Sequence, residues 1–399
     1  MKKEKPKCVL LYSGGLDTSA ILKILQEKYG YDVVAVAFDV GQSDLNSKKV
    51  KQKAKKLGAK EVYVIDAKKI FADEFIAKSI KANGLYGENP LCTALSRYLM
   101  SKIAVEIANK TKATAIVHGC TGKGNDQVRF DVSIQALNPK LKIIAPVREL
   151  NLTREEEIKY ALQHKISISK FHKKYSADEN LWGKYSGGSE LEKPEQEPAE
   201  DVFQLVSTPE KTPNNPEYIN LHFEKGIPTK LNGKKMELWK LIVKLNKIGA
   251  KHGVGIKDHI EDKIIGFKSR EICECPAATI ILKAHKELEK FVSTIHMNQF
   301  KNILDQKWAE LTYSGLFFDP LMTSLNAFMD EANKKVTGFV KLKLYKGNAM
   351  IVGRNSPYAL YGKDMKYSVE KSDSFDQKDS IGFIKLFGLQ TKAAKQVRS

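Results

Sequence analysis

The chain reads as an α/β protein: a parallel sheet with helices on both faces, then an α+β region and a C-terminal arm. Three observations carry that reading. An apolar run, Cys8-Val9-Leu10-Leu11, passes through a glycine turn into a helical pattern that stops at Gly30. Strand-length and helix-length runs then alternate as far as Lys165, the alternation that builds parallel sheets. Beyond it the composition shifts: five of the 13 prolines fall between residues 190 and 216, where an extended connector is expected. The expected domains are 1–165, 166–365 with that connector inside it, and an arm at 366–399.

Each element has its own signal. Asp32-Val33-Val34-Ala35-Val36-Ala37-Phe38 is continuously apolar, as a strand buried on both faces must be. Ser43-Asp44 is expected to open a lysine-rich helix ending near Gly58. Residues 61–66 read as a strand, and 71–81 and 93–110 as helices, the second with Leu95, Leu99, Ile103, Val105 and Ile107 as its core stripe. Residues 113–117 and 143–147 read as further strands. Thr153-Arg154-Glu155-Glu156 is a capping box for a helix to about His164. After the connector, residues 236–248 are amphipathic, 284–312 read as one helix, and 340–352 form a hairpin turning at Lys346-Gly347-Asn348. The tail from Ser380 is too apolar to hang free, so packing on another subunit is expected.

Composition excludes several classes. A hydrophobic content of 42% is ordinary for a globular protein. No run approaches the roughly 20 apolar residues of a membrane span, and the N-terminus carries no apolar signal core; a cytoplasmic location and no membrane partner are expected. Cys8, Cys92, Cys120, Cys273 and Cys275 contain no Cys-x-x-Cys, so no metal site and no dithiol pair is expected. The formal charge of +19 would attract anions. Its lysines are spread along solvated helices, so no nucleic-acid partner is expected.

Chemistry concentrates in two stretches. In Leu11-Tyr12-Ser13-Gly14-Gly15-Leu16-Asp17-Thr18-Ser19 the glycines expose backbone N–H groups beside a helix N-terminus, a cradle for phosphate. Ser13, Thr18 and Ser19 add hydroxyls, and Asp17 can cap the helix or orient a metal-bound phosphate. No lysine follows the glycines, so this is not the Gly-x-x-x-x-Gly-Lys loop. The pattern resembles the PP-loop of the ATP pyrophosphatases, whose fold is adenine nucleotide α-hydrolase-like and which split ATP between the α and β phosphates. The second stretch runs from His118 to Phe130. Three glycines there accompany Thr121, Asn125, Asp126 and Arg129, which suit an amino acid's carboxylate and ammonium groups.

Together these stretches resemble the argininosuccinate synthase family. So do Lys251-His252-Gly253-Val254-Gly255, residues 266–271, and Gly353-Arg354-x-Ser356-Pro357-Tyr358. The resemblance covers nearly the whole chain. It implies a homotetramer that joins citrulline to aspartate with ATP and Mg²⁺, giving argininosuccinate, AMP and pyrophosphate. It implies an ATP site of residues 11–19 (Leu11, Tyr12, Ser13, Gly14, Gly15, Leu16, Asp17, Thr18 and Ser19) with Ala37 and Gly119. Aspartate would lie on Thr121, Asn125 and Asp126, and citrulline on Asn125, Arg129, Ser176 and Glu261. Ser13, Asp17, Asp126 and Arg129 are the expected catalytic residues, with no covalent protein nucleophile.

Four positions depart from the family pattern, all in the citrulline pocket. Asn89 replaces a tyrosine, Ala94 stands at a common serine contact, Tyr185 stands at another, and Cys273 replaces a second tyrosine. One reading is that other side chains, Tyr185 among them, rebuild the contacts. The other is a paralogue that joins aspartate to a different ureido or amide acceptor. A PP-loop enzyme that modifies tRNA would share residues 13–19, yet no catalytic cysteine pair or RNA-binding module accompanies them.

Overall fold

The first five strands are β1 (Lys7–Leu11), β2 (Asp32–Asp39), β3 (Glu61–Asp66), β4 (Ala115–Val117) and β5 (Lys142–Ile144). They form one sheet in the order β3-β2-β1-β4-β5, with every pairing parallel. Alternate side chains of β1 enter two cores: Val9 and Leu11 on one face, Cys8 and Leu10 on the other. That double burial is why the run is apolar without alternation. The chain winds outward from β1 through β2 to β3, then returns to place β4 against the free side of β1. The crevice beyond the carboxyl ends of β1 and β4 is therefore a topological switch point, the usual ligand site of such sheets. This is a computed structural model, and it describes residues 4–43, 45–152, 154–164, 166, 175–362, 365 and 376–397.

The second region is antiparallel. It contains β6 (Ser176–Asn180), β7 (Gly183–Gly187), β8 (Glu217–Glu224), β9 (Ile227–Leu231), β10 (Lys234–Lys235), β11 (Ile256–Asp262), β12 (Lys268–Glu274), β13 (Gly338–Tyr345) and β14 (Asn348–Asn355). One sheet has the order β10-β9-β8-β13-β14 and the other β11-β12-β7-β6. The smaller sheet is fastened to the first region at its β6–β7 turn. Leu181 N donates to the Val40 carbonyl (2.8 Å), Trp182 Nε1 to that of Pro90 (3.0 Å), and Asn180 Nδ2 to that of Cys92 (2.9 Å). Trp182 is fully buried, so this turn sets where the sheet's face meets the switch point.

Several expectations shift locally. The lysine-rich helix is Ser47–Lys56, and Asn46, not Ser43, caps it by accepting from Lys49 N (3.0 Å); Ser43 instead binds Glu179. Residues 68–81 are helical throughout with a π-helical stretch, Phe71–Ile76, inside. Pro146 and Val147 leave the strand and open a short helix, Pro146–Glu149, where proline at the first turn forfeits no hydrogen bond. The long helix expected over 284–312 is two, Pro276–Val292 and Ile295–Tyr313, because the Thr294 hydroxyl caps a new start by accepting from Met297 N. The connector is pinned: the Glu274 carboxylate accepts from the N–H groups of Gln204, Leu205 and Val206, and Arg270 donates to the carbonyls of Lys193 and Gln196. Asp44, Thr153 and Lys165 lie outside the described residues.

One charged cluster sits in the packed core away from the switch point. Lys301 is 2% exposed and contacts Asp305 (2.7 Å) and Glu289 (2.8 Å). Asn83 donates to both carboxylates at 2.8 Å, and His285 lies between the amides of Asn83 and Asn333 (2.7 Å each). Removing one charge strands the others, which costs far more than the intact pair contributes. Lys301→Met should therefore lower the unfolding free energy by about 3–5 kcal/mol, measured by urea denaturation. A loss below about 1 kcal/mol, the scale of a surface pair, would contradict this.

Candidate active site

The loop after β1 is stitched by its own hydroxyls. Tyr12 N continues the sheet to the Val36 carbonyl (2.8 Å), while its buried phenol lies 3.2 Å from Ser19 Oγ. Gly14 has φ +80, a conformation that glycine adopts without strain. Gly15 N donates to Ser13 Oγ (3.2 Å), which lies 3.1 Å from Thr18 Oγ1, and Ser19 Oγ donates to the Gly15 carbonyl (2.6 Å). Gly15 then starts the helix Leu16–Glu27, with Asp17 in its first turn. Leu11 and Ala37 are buried beneath, in β1 and β2.

The loop after β4 lies against that same helix. A Cβ on Gly119 would stand 2.8 Å from Ile21 Cδ1, so this loop packs closely on the helix and a larger residue would require the Ile21 side chain to shift. His118 is buried; its Nε2 faces Asp131 Oδ1 (2.7 Å) and its Nδ1 accepts from Cys120 N (3.3 Å). Arg148 completes the support, bound to Asp131 (2.9 Å) and to Gln127 Oε1 (2.9 Å), while Gln127 Nε2 donates to the Gly122 carbonyl (2.6 Å). Thr121 is exposed at the loop's outer edge.

Asn125, Asp126 and Arg129 form the first turn of the next helix, Asp126–Leu137, and its cap position. Asp126 is gripped from both sides, by Arg129 Nη1 (2.9 Å) and by Arg97 Nε (2.8 Å). Burial pushes its carboxyl upward, but the two guanidinium groups outweigh it and hold the group below the usual carboxylate range. Arg97 also reaches Asp178 on β6 (3.1 Å). Tyr313 ties the corner together: its phenol accepts from Asn125 Nδ2 (2.7 Å) and donates to the Asp262 carbonyl (2.8 Å), and its own carbonyl accepts from Arg129 Nε (3.0 Å). Its ring stacks on Tyr86 at 4.0 Å and lies under the Arg129 guanidinium at 5.0 Å.

The expected citrulline residues share one face of the small sheet. Across β11, β12, β7 and β6, Lys257, Cys273, Tyr185 and Asp178 stand in one row, and His259, Glu271, Gly187 and Ser176 in the next. Glu261 follows, opposite Ser269. Asn89 closes over this face: its Nδ2 donates to Glu261 Oε1 (2.8 Å), and its Oδ1 accepts from Leu91 N (2.6 Å) and from the Tyr185 phenol. Lys263 bridges Glu261 (2.8 Å) and Glu271 (2.7 Å). Cys273 Sγ lies 3.7 Å from His259 Nδ1, and burial pushes its thiol and the Tyr185 phenol up. Ser176 is exposed at the rim, and Ala94 is buried without a polar group to offer.

The structure joins the loop after β4 to the helix after β1 through Gly119 and Ile21, and to the small sheet through Tyr313 and Arg97, while Thr121 and Ser176 are exposed. Arg97, Asp178, Tyr313, His259, Lys263 and Glu271 were missed. One signal could have found Arg97: the chain has only seven arginines, and an arginine inside an apolar helical stripe must have an anionic partner. Tyr313 carries no such mark.

Comparison with known proteins gives the family. Residues 7–167 match the family model described as arginosuccinate synthase N-terminal HUP domain, and residues 175–394 the arginosuccinate synthase C-terminal domain. The argininosuccinate synthase of Pyrococcus furiosus is 52% identical over 390 residues, covering 97% of this chain and 94% of that protein. That of Methanocaldococcus jannaschii is 51% identical over 382 residues, covering 96% of each. A solved U34-tRNA thiolase from Methanococcus maripaludis covers 42% of this chain and 60% of its own, at 15% identity and a TM-score of 0.29, too distant to bear on the substrate.

The Asp126 ion pairs set a pH dependence. A folded-state pKa below the ordinary 3.8 means that Asp126 stabilises the fold fully above that value. The contribution is lost as pH falls through the folded pKa. Wild-type protein should lose stability on acidification below about pH 3.8 more steeply than Asp126→Asn, read by circular dichroism. Parallel acid limbs would show that the pairing adds nothing.

Proposed function

The chain belongs to the argininosuccinate synthase family, and from that premise we propose how its residues divide the family's reaction. The enzyme is an ATP-dependent carbon–nitrogen ligase that condenses citrulline with aspartate. The phosphates of ATP lie on residues 11–19, with Ala37 and Gly119 beside them. Aspartate lies on Thr121, Asn125 and Asp126. Citrulline lies on Asn125, Arg129, Ser176 and Glu261, with Asn89, Tyr185 and Cys273 completing its pocket. The supporting observation is the close approach of Gly119 to the helix that the first loop opens, which sets the loops after β1 and β4 side by side.

The chemistry then follows from placement. The ureido oxygen attacks the α-phosphorus while the α–β anhydride bond breaks, and pyrophosphate leaves with the bonding pair. Exposed N–H groups of the loop and the hydroxyl of Ser13 stabilise that charge. The aspartate amine next attacks the adenylated carbon and AMP departs. Asp126, kept ionised by two arginines, accepts hydrogen bonds from the incoming amino group. Arg129, braced by Tyr313, offers a planar fork to a carboxylate. Holding three substrates together supplies much of the rate.

Mg²⁺ fits as an ion carried by ATP. Such a cation is bound through substrate phosphates and one or two carboxylates. Asp17 is the loop's carboxylate for orienting it. When bound it neutralises charge on the departing pyrophosphate.

The assembly is a homotetramer. Helices Asp379–Phe387 and Leu389–Gln396 leave Ile381, Phe383, Ile384, Leu386 and Phe387 exposed, a face that a second copy of the chain would cover. No described helix is long and apolar enough to cross a membrane. Cytoplasmic residence and an absence of nucleic-acid partners complete the proposal, the positive charge serving anionic substrates.

Pyrophosphate release from ATP and aspartate should require citrulline. Silence with citrulline and turnover with another ureido or amide acceptor would favour the paralogue reading. Arg129→Lys keeps the charge but loses the fork, and should lower kcat/KM about ten- to a hundredfold. An unchanged value would remove Arg129 from the site.

A further inference from the structure

The phosphate loop contains no lysine, yet a lysine reaches it from another element. Helix Ser47–Lys56 carries lysines at 48, 49, 51, 53, 55 and 56, most of them turned to solvent. Two of its residues, three apart and so on one face, turn instead toward Gly14. Val50 packs there: a Cβ on Gly14 would stand 3.0 Å from Val50 Cγ2. Lys53, half-buried, donates from Nζ to the Gly14 carbonyl (2.8 Å).

That ammonium is held differently from those of Lys68, Lys257 and Lys263, which are also half-buried. Lys68 meets Asp39 and Asp66, Lys257 meets Glu88, and Lys263 meets Glu261 and Glu271. Among the described residues Lys53 has no carboxylate partner, only the neutral carbonyl of Gly14. Burial accordingly pushes its pKa down, with no nearby anion to offset that. A desolvated cation without a counter-ion is costly, and this one stands on the loop that presents N–H groups to an anion. The sequence separation of 39 residues between Gly14 and Lys53 hides the pairing; the order β1, β2 in the sheet and the helix after β2 create it.

We propose that Lys53 is the phosphate-binding cation of this site, delivering from the second βα unit the charge that the first loop lacks. It binds the β and γ phosphates of ATP and remains with pyrophosphate as that group leaves. When the α–β anhydride bond breaks, its electron pair stays on the β-phosphate oxygen, and the ammonium and loop N–H groups share that charge. No proton moves. The inference rests on the reading that residues 13–19 hold the phosphates of ATP.

Three variants test it. Lys53→Met removes charge and hydrogen bond, Lys53→Gln keeps a donor for the Gly14 carbonyl without charge, and Lys53→Arg keeps a cation. Binding of inorganic pyrophosphate with Mg²⁺, and separately of AMP, is measured by calorimetry, alongside the KM of each substrate. Both neutral variants should weaken pyrophosphate binding and raise the KM for ATP about ten- to a hundredfold. AMP affinity and the KM values for citrulline and aspartate should hold, and Lys53→Arg should recover most of the loss. Unchanged pyrophosphate affinity in folded Lys53→Gln would overturn the proposal. Equal weakening of AMP and pyrophosphate would do so too, because it would make Lys53 a prop for the loop. Wild-type protein that neither binds pyrophosphate nor releases it from ATP would instead overturn the reading of the loop itself.

Discussion

The position of β4 beside β1 is the constraint from which the site follows. Parallel neighbours point their carboxyl ends the same way, so loops more than a hundred residues apart open into one crevice. Each loop alone is an ordinary glycine-rich βα turn. The approach of Gly119 to Ile21 sets the loop after β4 against the helix that the first loop opens. A ligase that must hold a nucleotide and two amino acids in line gains its geometry from that single strand order.

The second organising element is electrostatic. Asp126 takes hydrogen bonds from two arginines, and Arg97 takes a second carboxylate, Asp178, from the antiparallel sheet. A low-dielectric crevice strengthens such bonds and penalises any unpaired member. The network therefore fixes the acceptor-side sheet against the helix that carries Asp126. Tyr313 does the same with neutral groups, joining Asn125 and Arg129 to the β11–β12 turn. The polar groups expected to touch substrate thus also hold the two halves of the site in register.

How much of this the sequence displayed depended on range. The parallel sheet was legible because double burial writes itself into β1 and β2 as unbroken apolar runs. The two loops were legible because phosphate and carboxylate binding need glycine, hydroxyl and guanidinium groups within a few residues of one another. Ends of elements were less so: the Thr294 cap divides a helix whose apolar spacing runs on without a break, and Pro146 turns an apparent strand into a helix start. Arg97, Asp178 and Tyr313 were invisible as a set, because each derives its role from a partner on a distant segment. No local pattern records a contact such as that of Tyr313 with Asn125, 188 residues away.

The residues expected to hold the acceptor show the same limit, because sequence displays their departures one position at a time. Asn89 in place of a tyrosine and Tyr185 at a serine position look in sequence like two lost contacts. In space the two residues meet: the Tyr185 phenol, on β7, donates to Asn89 Oδ1. Asn89 in turn holds Glu261, which Lys263 braces from the other side. A phenol still stands at this corner, supplied by the sheet beneath rather than by the loop above. Asn89 Oδ1 accepts from Leu91 N as well as from that phenol, so the loop and the sheet meet on one amide. Tyr185, Asn89, Glu261 and Lys263 thus keep directional polar groups together where the sequence departs from the family pattern.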